Sequence, residues 1–432
     1  MDKQSTLDWL YSLHRFGIKP GLERINKLAE FLGHPERNFK SIHITGTNGK
    51  GSTASNLASM LIEGGYKTGL YTSPHVLEFN ERIQLQSKMI DDEALVEYAQ
   101  SLKPLQEKIN ATFFELTTAI AFRYFADMQT DIAIIEAGMG GLNDATNIIS
   151  SVLSIITPIS LEHTEYLGDT IEKIAFDKSQ IIKPKSKSLI SDKNKSLGNI
   201  FFKQANKVSS DLFFTNDLLT LKNIKINPDF SSRFEIIDCQ HKTKSFSTPL
   251  IGKFQIENAS MAIASTYLLK ENFQLNDAFI QKGLENVVKN THLSSRLEII
   301  SNNPLILLDS GHNPGAMKEL VDSLALINHS STEHDNDQFV FLMALMTDKD
   351  AESIFSIISP LIKHLILTQP KTSRASNPLV LKNIASRFIS DKSIEIIPEV
   401  PDALNKLIEL NDSSIILGSF YLAEEVKRAL PL

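Results

Sequence analysis

From residue 46 the chain reads Gly46-Thr47-Asn48-Gly49-Lys50-Gly51-Ser52-Thr53. The glycines free backbone N–H groups to face an anion, Lys50 adds a mobile positive charge, and the hydroxyl of Ser52 or Thr53 would stand near Mg2+. A strict Walker A pattern does not fit, because the first two glycines are too close and Gly51 separates the lysine from the serine. The alternative is a tight turn that needs glycine for positive φ. Further candidates lie downstream. Glu136 ends the short β-branched run Asp131–Glu136 and precedes Gly138-Met139-Gly140-Gly141. His163 follows Val152–Thr157, Lys178 lies in a helical stretch, and Asp309 and His312 follow Leu305–Leu308. Singly, Glu136 reads as a solvated strand-end acid, His163 as a structural histidine, Lys178 as a surface lysine, and Asp309 with His312 as a capped βα turn. Together they suggest a nucleotide with Mg2+, which prefers oxygen ligands and makes the histidine the odd member.

Such residues need a sheet to bring them to one place. Ser41–Thr45 reads as a strand, and Leu57, Ala58, Leu61 and Ile62 recur at helical spacing after the loop. Leu7, Leu10 and Tyr11 mark an earlier helix, interrupted at Gly17 and Pro20-Gly21 before Leu22-Glu23-Arg24 opens another. Lys67–Thr72 reads as a strand, Asp91–Asn110 as a helix with a break at Pro104, and Phe114–Met128 as a further helix. Thr170–Ile182 is the helix that carries Lys178. Parallel βαβ winding would deliver Lys50, Glu136 and His163 to one sheet edge, since ligands collect outside the carboxyl ends of strands. Over 185–250 glycine becomes scarce, and Leu212–Thr215 and Phe234–Ile237 read as small antiparallel strands at the sheet edge. Gln255–Leu269 and Asp277–Val287 read as helices. The polar stretch Lys289–Ser295 is the expected boundary between a first domain over 1–293 and a smaller α/β domain over 294–432. In the second domain Leu305–Leu308, Phe339–Leu345, His364–Thr368, Ser393–Ile397 and Ser414–Leu417 read as strands, with helices at Ala316–Leu326 and Ala403–Leu410. Closing over a nucleotide, it would bring Asp309 and His312 to the base, ribose or phosphates.

The bulk properties exclude several classes. At 432 residues the chain is long enough for two or three domains, and its net charge of -7 gives no footprint for nucleic acid or an acidic membrane. One cysteine, Cys239, rules out an intramolecular disulfide framework and a cysteine zinc cluster. The start lacks the apolar core of a signal peptide and no run is long enough to span a bilayer, so a cytoplasmic protein is expected, with a closing two-domain monomer as the default.

A set of islands in fixed order is more specific than any one motif. These are Gly46–Ser52 (GTNGKGS), Ser73–Ile83 (SPHVLEFNERI), Phe113–Phe122 (FFELTTAIAF), Glu136–Asn147 (EAGMGGLNDATN), His163–Gly168 (HTEYLG), Lys178, Leu250–Ala259 (LIGKFQIENA), Arg296-Leu297-Glu298, Asp309–Pro314 (DSGHNP), Asp348-Lys349-Asp350 and Gly418-Ser419. With them the chain resembles, over nearly its whole length, the folylpolyglutamate synthase and dihydrofolate synthase family of the Mur ligase superfamily. The resemblance implies a Mur-ligase-like α/β ATPase domain with a phosphate loop, followed by a smaller Rossmann-like α/β domain. It implies an ATP-dependent amide ligase that activates a dihydropteroate or reduced-folate carboxylate as an acyl phosphate and joins it to L-glutamate. Gly46, Thr47, Asn48, Gly49, Lys50, Gly51, Ser52 and Thr53 would hold the phosphates, and Asn258, Arg296, Asp309 and His312 the rest of the nucleotide. Ser73, Glu136 and His163 match magnesium ligands, and Lys178 matches a carbamylated lysine; a monovalent cation is left open. Lys50, His163 and Lys178 would thus serve catalysis. Gly21, Leu22, Glu23, Arg24, Thr112, Phe113, Phe114, Asn143, Asp144 and Ala145 match parts of the pterin-substrate site. The chain departs from the family at Leu142, where arginine is usual, at Glu162 in place of aspartate, at Phe254 in place of histidine, and around Asp177-Lys178-Ser179-Gln180. Two other readings stand beside this one: another Mur-type amide ligase, and a degenerate ATP-binding homologue without catalysis.

Overall fold

Apolar strands that alternate with helices bury a sheet on both faces, and this chain does so twice. The structure, a computed structural model, describes residues 2–13, 17, 19–328 and 338–430. The first sheet holds β1 (Lys40–Thr45), β2 (Thr68–Tyr71), β3 (Ile83–Leu85), β4 (Lys88–Met89), β5 (Ile132–Glu136), β6 (Leu153–Ile156), β7 (Lys187–Ile190) and β8 (Asp211–Phe214), in the order β4-β3-β2-β5-β1-β6-β7-β8. From β2 to β8 all pairs are parallel, and β3 and β4 add an antiparallel edge. Period-two alternation assigns the strand faces. Ile42, Ile44, Ile132 and Ile134 pack with Leu57, Ala58 and Leu61 of the helix Lys50–Glu63. Ala133 and Ile135 pack on the other side with Leu116 and Ile120 of the helix Phe113–Asp127.

Two expectations need correction. The stretch around Leu212–Thr215 is not an antiparallel strand: β8 runs parallel to β7, because the helix Gly198–Val208 carries the chain back between them. The antiparallel strands form a separate three-stranded sheet of β9 (Leu219–Ile226), β10 (Ser232–Asp238) and β11 (Thr243–Thr248), packed through Phe234, Ile236 and Phe246 into the same core as the helix Lys253–Leu268. Nor does Pro104 break its helix, which runs unbroken over Asp92–Ile109. Asp91 caps its start, and Leu95, Ala99, Leu102 and Gln106 keep one face buried through the proline.

The second sheet comprises β12 (Glu298–Asn302), β13 (Leu305–Asp309), β14 (Phe339–Met343), β15 (Ile362–Leu367), β16 (Ile394–Ile396) and β17 (Ser414–Leu417), in the order β12-β13-β17-β14-β15-β16. β12 is antiparallel and the other pairs are parallel. Among the described residues no helix is long and apolar enough to cross a membrane.

Candidate active site

The phosphate-type loop leaves the carboxyl end of β1, and the helix Lys50–Glu63 starts inside it. Gly49 has φ 85°, and a Cβ there would lie 2.3 Å from the Asn258 Oδ1 atom, so only glycine fits. Thr47 ties the loop to the segment after β6: its N–H donates to Pro158 O at 2.9 Å and its hydroxyl to Ser160 O at 3.1 Å. Lys50 folds back, donating to Gly46 O at 3.2 Å and Thr47 O at 3.0 Å. Gly46 O also accepts from Lys178 Nζ at 2.8 Å. Burial pushes the Lys178 amine down to about 7, and the charge of Lys50 pushes the same way.

Glu136 ends β5 in the register that pairs it with Ile44, and it is buried. Burial raises its carboxyl, opposed by Lys50 and by the Ser73 N–H, which donates to Oε2 at 3.1 Å. Gly51 packs beside this carboxylate, where a Cβ would stand at ordinary contact distance, 3.5 Å from Glu136 Oε2. His163 has φ 53° at the start of the short helix Thr164–Leu167. Loss of water around its imidazole pushes it down to about 4, against the pull of Glu162, so the ring is neutral near pH 7. Burial works against the charge of Glu162, but His312, Lys50 and His163 outweigh it and hold that carboxyl well below the usual range.

The second sheet supplies the opposite wall. His312 Nδ1 donates to Ser310 O at 2.9 Å, and its Nε2 lies 3.5 Å from Glu162 Oε1. Lys349 Nζ lies 3.9 Å from the same oxygen. Asn48 and Asn313 exchange side-chain amide hydrogen bonds of 3.3 and 3.0 Å across the two units. Arg296 lies over the Phe420 ring at 5.1 Å and donates to Ser310 Oγ at 3.0 Å. Burial raises the Asp309 carboxyl, opposed by Arg296 and by the N–H groups of Gly311 and Leu297. Between these walls runs a cavity of about 870 Å3, from Lys50 and Glu136 past Phe114 to Asp144 and Arg82.

Residues 44–266 match the Mur ligase middle domain, and residues 295–420 match the Mur ligase glutamate ligase domain. The chain is 30% identical to a dihydrofolate synthase/folylpolyglutamate synthase of Bacillus subtilis, over 99% of each protein. It is 31% identical to a folylpolyglutamate synthase of Lacticaseibacillus casei, over 100% of this chain and 99% of that one. The chain belongs to the folylpolyglutamate/dihydrofolate synthase family. The two α/β units have the architecture of that synthase family. A folylpolyglutamate synthase of Mycobacterium tuberculosis, complexed with ADP and AMPPCP, superposes with a TM-score of 0.87 at 26% identity, over 99% of this chain and 98% of that one. A folylpolyglutamate synthase of Thermotoga maritima gives 0.83 at 30% identity, over 98% and 96%.

In this synthase-family fold, most residues singled out in the sequence line the one cavity. They are Thr47 through Ser52, Ser73, Thr112 to Phe114, Glu136, Asn143 to Ala145, His163, Asn258, Arg296, Asp309 and His312. Gly46 and Lys178 sit behind, on a smaller cavity shared with Lys50, Glu162 and His163. Thr53 is wholly buried in its helix and lines neither cavity. Gly21, Leu22, Glu23 and Arg24 do not line the main cavity either. Arg24 is spent on Glu115, with Nε 3.0 Å from both carboxylate oxygens, and Leu22 packs into the core. Among the lining residues that the sequence did not assign are His75 and Arg82, joined by a 2.7 Å hydrogen bond from Arg82 Nε to His75 Nδ1. Both belong to the SPHVLEFNERI island, whose irregular path leaves no periodicity to mark them.

The donor set suits Mg2+. Glu136, which accepts the Ser73 N–H, lines the same cavity as Ser73 and the neutral His163. No three His, Cys, Asp or Glu side chains converge among the described residues, which fits an ion that usually takes much of its shell from phosphate oxygens and water.

Proposed function

We infer that the chain is an ATP-dependent ligase joining L-glutamate to a folate or pteroate carboxylate. The observation that carries this reading is the continuity of one cavity from the Lys50 loop past Glu136 to Asp144 and Phe113, in a member of this synthase family. A carboxylate is a poor electrophile. Its oxygen attacks the γ-phosphorus of ATP, ADP leaves, and the acyl phosphate carries a good leaving group. The free amine of glutamate then attacks the carbonyl carbon, the acyl C–O bond breaks as phosphate leaves, and the nitrogen loses a proton to give the amide.

The chain contributes positioning and charge. The loop N–H groups and Lys50 grip the phosphates, the lysine exchanging two carbonyl partners for anionic oxygens. Arg296, Asp309 and Asn258 hold the nucleoside side. Phe113, Phe114, Asn143, Asp144 and Ala145 form the acceptor side. Glu136, Ser73 and His163 would hold Mg2+, which supplies neutralisation of phosphate charge when bound. Lys178 fits carbamylation: near pH 7 much of its amine is free to attack CO2, losing a proton as the C–N bond forms. The carboxylate so made would add an acid to the smaller cavity that Lys178 shares with Glu162 and His163.

The test offers dihydropteroate and tetrahydrofolate separately, each with ATP, Mg2+ and L-glutamate, and weighs the products. At least one acceptor should gain the mass of one glutamyl unit, with release of ADP. Binding of ATP without ADP release or product for either acceptor would overturn the reading and favour a non-catalytic homologue.

A further inference from the structure

We propose that His43 and Thr146 are positioning residues that hold the Asp144 carboxylate in place for the acceptor substrate. This rests on the ligase reading above, in which Asp144 stands on the acceptor side of the cavity. His43 lies mid-way along β1 and is wholly buried. Its Nε2 is 2.7 Å from Thr146 Oγ1, and Thr146 Oγ1 is in turn hydrogen-bonded to Asp144 Oδ1. Each Asp144 oxygen also accepts a backbone N–H, from Thr146 to Oδ1 at 3.0 Å and from Met139 to Oδ2 at 2.8 Å.

The direction of the chain follows from proton counting. A hydroxyl has one proton, and facing a carboxylate oxygen that already accepts an N–H, it gives that proton. Thr146 Oγ1 must then accept from the imidazole, so His43 carries its hydrogen on Nε2. The second ring nitrogen, Nδ1, is buried with no hydrogen-bond partner. A lone pair left there costs less than the unpaired, charged N–H of an imidazolium. Burial also holds the His43 ring well below its ordinary range, helped by Lys183. The ring is therefore a fixed, neutral, single donor.

The strand explains why this donor reaches the cavity. Ile42 and Ile44 face the core under the helix Lys50–Glu63, so His43 and Thr45 share the other face. Thr45 Oγ1 donates to Gly140 O at 2.5 Å. One face of one strand thus anchors the segment between β5 and β6 on either side of Asp144, at Gly140 and at Thr146. From the far side, Asp177 accepts the Gly141 N–H at 2.7 Å. A valine at 43 would serve packing alone without burying a ring nitrogen that has no partner, so the imidazole is explained by what it donates to.

The experiment measures KM for the accepted pteroate or folate, KM for ATP, and kcat. His43→Leu and Thr146→Val should each raise the acceptor KM about tenfold, with the ATP KM within about twofold. The double variant should be no worse than the poorer single one, because both break one chain. His43→Gln, whose amide donor can stand where Nε2 stood, and Thr146→Ser should recover most of the loss. An unchanged acceptor KM, equal rises in both KM values, or a glutamine variant as poor as the leucine one would overturn the proposal. If the leucine variant does not fold, the Thr146 pair carries the same test. Wild-type protein that forms no product with either acceptor is a distinct result, and it overturns the ligase reading itself.

Discussion

At the scale of single residues, two lysines on one carbonyl behave differently. Lys50 lines the open cavity, whereas Lys178 is buried behind it. Lys50→Ala should lower turnover by on the order of a thousandfold while circular dichroism stays that of the wild type. Ordinary turnover would remove the loop from the chemistry. For Lys178 the consequence is a pH dependence. Its amine titrates at about 7 in the fold and at 10.5 when unfolded, so between these values the unfolded chain binds more protons and stability rises with pH. In bicarbonate-free buffer near pH 6, Lys178→Met should be more stable than the wild type by a few kcal/mol. The gap should close as pH climbs from about 7 toward 10.5, as denaturant melts at several pH values will show. A gap that ignores pH would mean that the ammonium is not buried.

At the scale of elements, the helix Asp277–Glu285 crosses the helix Lys50–Glu63 at Gly283. A Cβ there would lie 2.5 Å from the Met60 Cα atom, and Ser59 Oγ donates to Gly283 O at 2.6 Å. Gly283→Ala must therefore separate two backbones, at a cost of about 1–3 kcal/mol read as a lowered melting temperature. A melt equal to the wild type would show that the crossing yields freely. This contact could not be read in the sequence, where Gly283 is one small residue in a polar helix. The strands that carry Lys50 and Glu136 were legible because buried parallel strands read as short β-branched runs ending in a chemically distinctive loop. β12 was not, since the sequence Glu298–Asn302 mixes polar and apolar residues at a sheet edge and pairs only when folded against β13. The parallel β8 was misread for a related reason: strand direction is set by the intervening helix, not by the composition of the strand. At the site, residues at strand ends were legible, whereas His75 and Arg82 in the irregular stretch after Ser73 were not, because no period marks which side chains turn inward.

At the scale of the molecule, Lys193 reaches across the two units, 2.6 Å from Glu257 and 3.1 Å from Glu319. Burial raises the Glu319 carboxyl, and Lys193 is what opposes it. Lys193→Ala leaves two carboxylates facing each other and should weaken docking of the second unit by about 1–3 kcal/mol. Trp9, the only tryptophan, lies in the first helix, so its fluorescence follows the first unit while calorimetry follows both. The calorimetric transition should broaden downward while the Trp9 transition moves less; transitions that stay coincident and unshifted would count against the bridge. The Asn48–Asn313 pair extends the same logic to the reaction. Asn48 belongs to the loop that grips phosphate and Asn313 to the opposite unit, where its Oδ1 also caps a helix by accepting the Ala316 N–H at 2.8 Å. Loading the loop and docking the units are therefore two arms of one thermodynamic cycle. Whatever free energy a bound phosphate adds to or takes from that amide pair, docking must return to phosphate affinity in equal measure.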